Sequence, residues 1–199
     1  MTATVSIEEK KAVVANDPKF PKRISWEAFK ADYLEREDGF KYEWVNGRLK
    51  KYEKMLTAEQ FHIYDNLSEL FLKNKAHQDG GRLVPELKCR TTGTQGRVPD
   101  ICFVTEQDRK TMGQGTLIIP QFAVEILSKT NEMEDMFAKL EEYFEAGVQI
   151  VWLILPRVKK VYVYTSPYDV KICYGTVLCS AEPVIADFAL KTQDIFIKP

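Results

Sequence analysis

Two short hydrophobic runs each carry one carboxylate at a position that a buried strand would not leave unpaired. They are Val98-Pro99-Asp100-Ile101-Cys102-Phe103-Val104 and Phe122-Ala123-Val124-Glu125-Ile126-Leu127. Burying an unpaired carboxylate costs roughly several kcal/mol, so such a residue needs a partner, usually a cation. Two acids delivered on adjacent strands supply what a hard divalent metal asks for: rigid oxygen ligands, with coordination positions left for water and substrate. A third acid, Glu43, lies between Tyr42 and Trp44. It either joins the same site or pairs across a hairpin with Lys50 or Lys51. Plainer roles exist for the other two: a strand-start or turn aspartate after Pro99 for Asp100, and the solvated end of an edge strand for Glu125.

The cations that could serve these acids follow in sequence. Lys139 falls on a helix after the Glu125 run, at the border of its apolar stripe and one turn before Tyr143. It either snorkels along that stripe or turns its ammonium back to the acids, to stabilise developing charge or lower the pKa of a metal-bound water. Lys129, four residues beyond Glu125, is a rival in the strand-to-helix loop. Other chemistries find little support. There are only two histidines, His62 and His77, and four cysteines without CxxC spacing, a poor set for a zinc site. His62, between Phe61 and Ile63, reads as a packing residue. The glycines match neither a phosphate-binding loop nor a nucleophile elbow.

These residues need a frame. Ser25 is placed to cap a helix through Trp26, Phe29, Tyr33 and Leu34 that closes at Asp38-Gly39. Asn46-Gly47 between 40–45 and 48–52 is the strongest short hairpin signal in the chain. Thr57 caps a second helix with Phe61, Tyr64, Leu67, Ser68, Phe71 and Leu72 as its stripe, stopped at Asp79-Gly80-Gly81. Strands are predicted near 83–87, 98–104 and 119–127. A third helix is predicted over 132–146, with Met133, Met136, Phe137, Leu140 and Phe144 on one face and Gly147 as its cap. The run 150–155 is apolar on both faces, a central strand covered by helices; outer strands follow at 161–164 and 170–178. The fold class is therefore α/β, a mixed central β-sheet flanked by helices.

With 199 residues, 45% of them hydrophobic, the chain can close one sizeable core. Residues 1–23 read as a flexible arm and 24–199 as a single domain. A net charge of -1 excludes a global electrostatic pull toward nucleic acid, although Lys50, Lys51, Lys54, Lys88, Arg90 and Arg97 could track phosphates locally. No apolar stretch is long enough for a signal peptide or a membrane span, so the expectation is a reduced cytoplasmic protein with buried thiols at Cys102 and Cys173.

Several stretches, taken in order, resemble the "putative restriction endonuclease" family of the PD-(D/E)XK nuclease superfamily, a domain-of-unknown-function type. They are Tyr42-Glu43-Trp44-Val45-Asn46-Gly47-Arg48-Leu49, the Pro99-Asp100 strand, Val124-Glu125-Ile126-Leu127-Ser128, Lys139 through Tyr143, and Gly147-Val148 with Val151-Trp152-Leu153. The likeness runs from about Ser25 to Phe196. It implies a restriction-endonuclease-like core in which Asp100 and Glu125 bind magnesium or manganese, Glu43 stands nearby and a lysine assists hydrolysis of a DNA phosphodiester. The sequence departs from the superfamily's E-x-K pattern, with Leu127 at the lysine position; Lys139 is the candidate for a migrated lysine. Lys129 stands where the family usually has proline. The resemblance leads to a metal-dependent DNA endonuclease that could act as a homodimer. The alternative is a catalytically inactive module of the same fold that binds nucleic acid or protein. A purely structural dimerisation domain, resting on Trp26, Trp44, Phe61, Tyr64 and Phe71, is a third reading.

Overall fold

The structure, a computed structural model, describes residues 23–53, 57–127 and 133–197; residues 1–22 of the predicted N-terminal arm, Lys54 and Lys129 lie outside them. Its first unit is local. Ser25 accepts a hydrogen bond from the Ala28 N–H and opens α1 (Trp26–Asp32). The helix stops before the predicted Asp38-Gly39, because the backbone leaves helical angles at Tyr33 and sets that ring against Tyr42, 5.2 Å between centroids. β1 (Phe40–Val45) and β2 (Arg48–Glu53) form the predicted hairpin, with Asn46 and Gly47 both at positive φ, as a tight two-residue turn requires. A capping box between Thr57 and Gln60 starts α2 (Ala58–Phe71). It buries Ile63, Leu67 and Phe71, while Phe61 and Leu72, predicted on its core stripe, are 52% and 56% exposed. The fully buried row is i, i+4, with Tyr64 and Leu70 half-buried beside it, and Phe61 and Leu72 lie beyond its reach.

After the short α3 (Lys75–Gln78) come β3 (Arg82–Pro85), β4 (Cys89–Thr92), β5 (Gln95–Arg97) and β6 (Ile101–Val104). β4 and β5, short and polar, carry no strand signal of their own. Then follow α4 (Glu106–Met112), β7 (Phe122–Ile126), α5 (Met133–Glu145), β8 (Ile150–Leu155), β9 (Lys160–Ser166), β10 (Asp169–Tyr174), β11 (Leu178–Ser180) and β12 (Ala189–Lys191). β6 and β7 start later than predicted because Pro99 and Pro120 bring no N–H to a ladder.

The main sheet has the order β10-β9-β8-β7-β6-β3. β7 and β8 are parallel and joined through α5, and the remaining pairs are antiparallel, giving the mixed sheet flanked by helices. A second sheet, β2-β1-β5-β4, carries the hairpin. Residues alternate between two faces of β7 and β8. Phe122, Val124, Ile126, Ile150, Trp152 and Ile154 pack toward α2 in the larger core. Ala123, Val151 and Leu153 pack under Met136, Leu140 and Tyr143 of α5, and Glu125 shares their face of β7. On α5, Met133 and Phe137, expected on the buried face, are 38% and 49% exposed; Lys139 and Glu142 are buried instead. Gly147 ends the helix region at φ +102.

Leu140 is 1% exposed and is the main apolar anchor of α5 on the face that carries Glu125. Leu140→Ala should lower unfolding free energy by about 2–5 kcal/mol, the usual cost of such a cavity. Urea denaturation followed by tryptophan fluorescence measures it.

Candidate active site

Asp100 immediately precedes β6 and Glu125 is the fourth residue of β7. The antiparallel register pairs Ile101 with Val124 and Cys102 with Ala123, and continuing it by one step sets Asp100 opposite Glu125. The Asp100 carboxylate reaches onto β7 through Oδ2, which accepts from the Ile126 N–H at 2.8 Å. The two predicted acids therefore meet at the end of one strand pair, neither at an exposed edge.

Lys139 comes down from α5 into this position. Its Nζ lies 2.8 Å from Glu125 Oε1 and 3.1 Å from Glu43 Oε1; it is buried and paired, so the snorkelling role is excluded. Tyr143, one turn along α5, donates its hydroxyl to the same Glu125 Oε1 at 2.6 Å. Glu43 is 1% exposed and also accepts from the Val98 N–H at 3.2 Å and from Arg97 at 3.1 Å. It does stand across the hairpin from Lys50, but Lys50 turns away to Asp135 at 2.6 Å. The cross-strand pairing is thus overruled by a buried network that offers Glu43 more donors.

Three members of this network, Thr91, Lys41 and Glu142, had no assigned role in the sequence reading, and a fourth, Arg97, had a different one. Arg97, expected to track phosphates, is 5% exposed and holds Glu142 with two nitrogens at 2.7 and 2.9 Å. Thr91 makes a short hydrogen bond to the same Glu142 carboxylate. Lys41 on β1 donates to Asp100 Oδ1 at 2.9 Å and to the Val98 carbonyl at 3.1 Å. The hint for Glu142 was its place three residues past Lys139 on the buried side of α5; Lys41 and Arg97 had none beyond belonging to β-rich runs.

The electrostatics follow from burial. Burial by itself drives the Glu43 carboxyl upward, but Lys139, Arg97 and Lys41 outweigh it and hold the group at about 2. Glu125 goes the other way: burial raises it, with Asp100 and Glu43 adding to the rise, and Lys139 offsets only part. Lys139 and Lys41 both stay charged against burial because carboxylates surround them, Glu125 and Glu43 for the first and Asp100 foremost for the second. Burial beside Glu43 pushes Tyr52 to about 12.

No group of three or more His, Cys, Asp or Glu side chains among the described residues forms a metal cage. The donor chemistry nevertheless fits a hard divalent cation completed by water. Asp100 and Glu125 bring carboxylates to one place, and the ion pairs around them count four carboxylates against three cations.

A sequence model of the Uma2 family, described as "Putative restriction endonuclease", matches residues 26–193. A search of curated proteins gave no match. Among solved structures, a crystal structure described as a "putative nuclease belonging to DUF820", from Anabaena variabilis ATCC 29413, superposes with a TM-score of 0.74. It is 22% identical and covers 87% of this chain and 97% of its own, so the two share a fold. No helix among the described residues is long and apolar enough to cross a membrane.

Glu43 gives a stability test. Its carboxyl is depressed from the ordinary 4.5 to about 2, so its contribution is present above pH 4.5 and is lost as pH falls toward 2. Glu43→Gln should lose about 3–5 kcal/mol at neutral pH, the usual cost of breaking a buried pair, and should flatten that acid limb. Urea denaturation at a series of pH values reads both.

Proposed function

The chain belongs to the Uma2 family of restriction-endonuclease type, and from that premise we propose that it is a divalent-metal-dependent nuclease that hydrolyses DNA phosphodiester bonds. The observation that carries this reading is the meeting of Asp100 and Glu125 on paired strands, with Lys139 bonded to Glu125. Asp100 and Glu125 would hold the magnesium or manganese ion. When bound, that ion supplies polarisation of the phosphate and a lower pKa for a coordinated water.

The remaining work belongs to the side chains. Lys139 and Tyr143 fix one oxygen of Glu125, which leaves the carboxylate one orientation. Glu43 keeps Lys139 protonated and in place, and is itself held by Arg97 and the Val98 N–H. Lys139 is thus the positioning lysine in the role that E-x-K sequences give to the residue at Leu127. Lys41, bonded to Asp100, adds a second positive charge where a phosphate would arrive.

One observation favours the alternative, an inactive module of the same fold. Each acid already has a cation, Lys41 on Asp100 and Lys139 on Glu125, so neither needs a metal to be buried. Thermal melting separates the two readings, since a binding site for magnesium or manganese raises the melting temperature with ion concentration.

For the nuclease, plasmid DNA with magnesium or manganese should be nicked, and Asp100→Asn or Glu125→Gln should abolish nicking. Tyr143→Phe, which removes one donor from Glu125, should slow cleavage by about 10–100-fold. Folded wild-type protein that leaves DNA intact with either ion would overturn the reading.

A further inference from the structure

The two acids that would hold the ion have four carboxylate oxygens, and their donors are unevenly shared. Oδ2 of Asp100 accepts from the Ile126 N–H at 2.8 Å. Oε1 of Glu125 takes both the Lys139 ammonium at 2.8 Å and the Tyr143 hydroxyl at 2.6 Å. Oε2 of Glu125 accepts no hydrogen bond among the described residues. Asp100 Oδ1 faces the Lys41 ammonium at 2.9 Å. The oxygens left for a shared ion are therefore Glu125 Oε2 and Asp100 Oδ1, and a lysine covers the second.

Of the two lysines, Lys41 is the one placed to leave. Lys139 bridges two carboxylates, Glu125 and Glu43, and its side chain is 10% exposed. Lys41 pairs with one carboxylate and also donates to the Val98 carbonyl at 3.1 Å. It is 16% exposed, and Asp100 is 20% exposed. Lys41 and Val98 line an open cavity of about 80 Å³ between α1 and β1. That space holds several waters and so admits an ammonium, a group of similar size. The stem of a lysine is flexible, so the charge can move there without any shift of β1. Two cations on one oxygen repel strongly where little water screens them, so an ammonium and a divalent ion exclude each other at Oδ1.

We propose that Lys41 is a stand-in cation: it neutralises Asp100 through Oδ1 and gives up that oxygen when a divalent ion binds, carrying its charge to the open side of the site. The inference rests on the ion site of the nuclease reading and deepens it. Competition with Lys41 makes the ion bind more weakly than the two carboxylates alone would allow, and the freed ammonium is then available to a phosphate.

The test is ion binding in the absence of nucleic acid. Manganese is titrated into the full chain and followed by calorimetry. Lys41→Met, which keeps an unbranched stem and removes the charge, should bind manganese about 5–150-fold more tightly than wild type, the usual span of coupling between two ligands. Lys41→Gln should follow it, and Lys41→Arg, which keeps the charge, should stay near wild type. The wild-type protein gives a second reading that needs no variant. Acylation with an N-hydroxysuccinimide ester, located by mass spectrometry, should label Lys41 faster in saturating manganese and Lys139 no faster. A lysine that only supports Asp100 would lose ion affinity on substitution and keep its labelling rate. Equal or weaker manganese binding by Lys41→Met and Lys41→Gln, with unchanged labelling of Lys41, overturns the proposal even if plasmid is cleaved. Tighter binding by both variants with DNA left intact by the wild type supports the exchange and removes the nuclease instead. Manganese binding by none of the proteins overturns the ion site and the exchange together.

Discussion

Everything near the acidic site depends on one constraint: Glu43, Glu125, Glu142, Lys139 and Arg97 are ionisable groups taken almost wholly out of water. A buried charge is tolerated only when another charge and enough hydrogen bonds replace its hydration. Glu43 meets that demand from two sides, with Lys139 and the Val98 N–H at Oε1 and Arg97 at Oε2. Arg97 passes the constraint on to Glu142, and Lys139 passes it to Glu125. One carboxylate on the hairpin therefore ties together β1, the β5–β6 connection, β7 and α5, elements that sequence separates by up to about a hundred residues. Removing any member leaves its neighbours short of charge, which makes the network a device of registration as much as of stability.

The sheet explains why the charges collect where they do. The α2-facing side of β7 and β8 is filled with large apolar side chains, including Phe122 and Trp152 packed edge to face at 5.2 Å, and has no room for a polar group. The opposite side is capped by α5, whose buried row mixes Met136, Leu140 and Tyr143 with Lys139 and Glu142. Glu125 lies near the C-terminal end of β7, where a parallel neighbour, β8, and an antiparallel one, β6, flank the same strand. Carboxyl ends of strands at a change of topology leave a crevice that neighbouring connections do not fill. The second sheet closes one side of it by bringing Glu43 and Lys41 on alternate residues of β1.

Much of this was legible in the sequence, and the boundary is physical. The hairpin, the Thr57 and Ser25 caps, and the 150–155 central strand follow from local rules, so short-range signals found them. Asp100, Glu125, Glu43 and Lys139 stood out because a charge in an apolar run or stripe has to be explained. Lys41, Arg97 and Glu142 did not stand out, since the surroundings of each are decided by a partner 45 to 59 positions away. The same blindness produced the errors on the helices. Phe61, Leu72 and Phe137 look like core residues by composition, but which side of a helix is covered depends on the crossing of another element. β4 and β5 are held chiefly by pairing to β1 and to each other, a non-local cause that short polar segments do not advertise.

Leu127 and Lys139 show how Glu125 obtains its cation. Leu127 follows Glu125 by two residues and so shares its face, but its side chain packs in the α5 core and its N–H bonds to Ile154 at 2.9 Å. A lysine at 127 would reach Glu125 from along its own strand. Lys139 reaches it from above at 2.8 Å, with Tyr143 bonded to the identical oxygen from the next turn. In this chain the ammonium against that carboxylate comes from α5 and not from β7. The helical solution has its own consequence. An ammonium on β7 would depend on the strand alone, whereas one on α5 depends on the docking of the whole helix through Met136 and Leu140. Packing beneath α5 and the charge balance at Glu125 are therefore a single property of this chain, and a loss of apolar contact there is also a loss of the cation that holds Glu125.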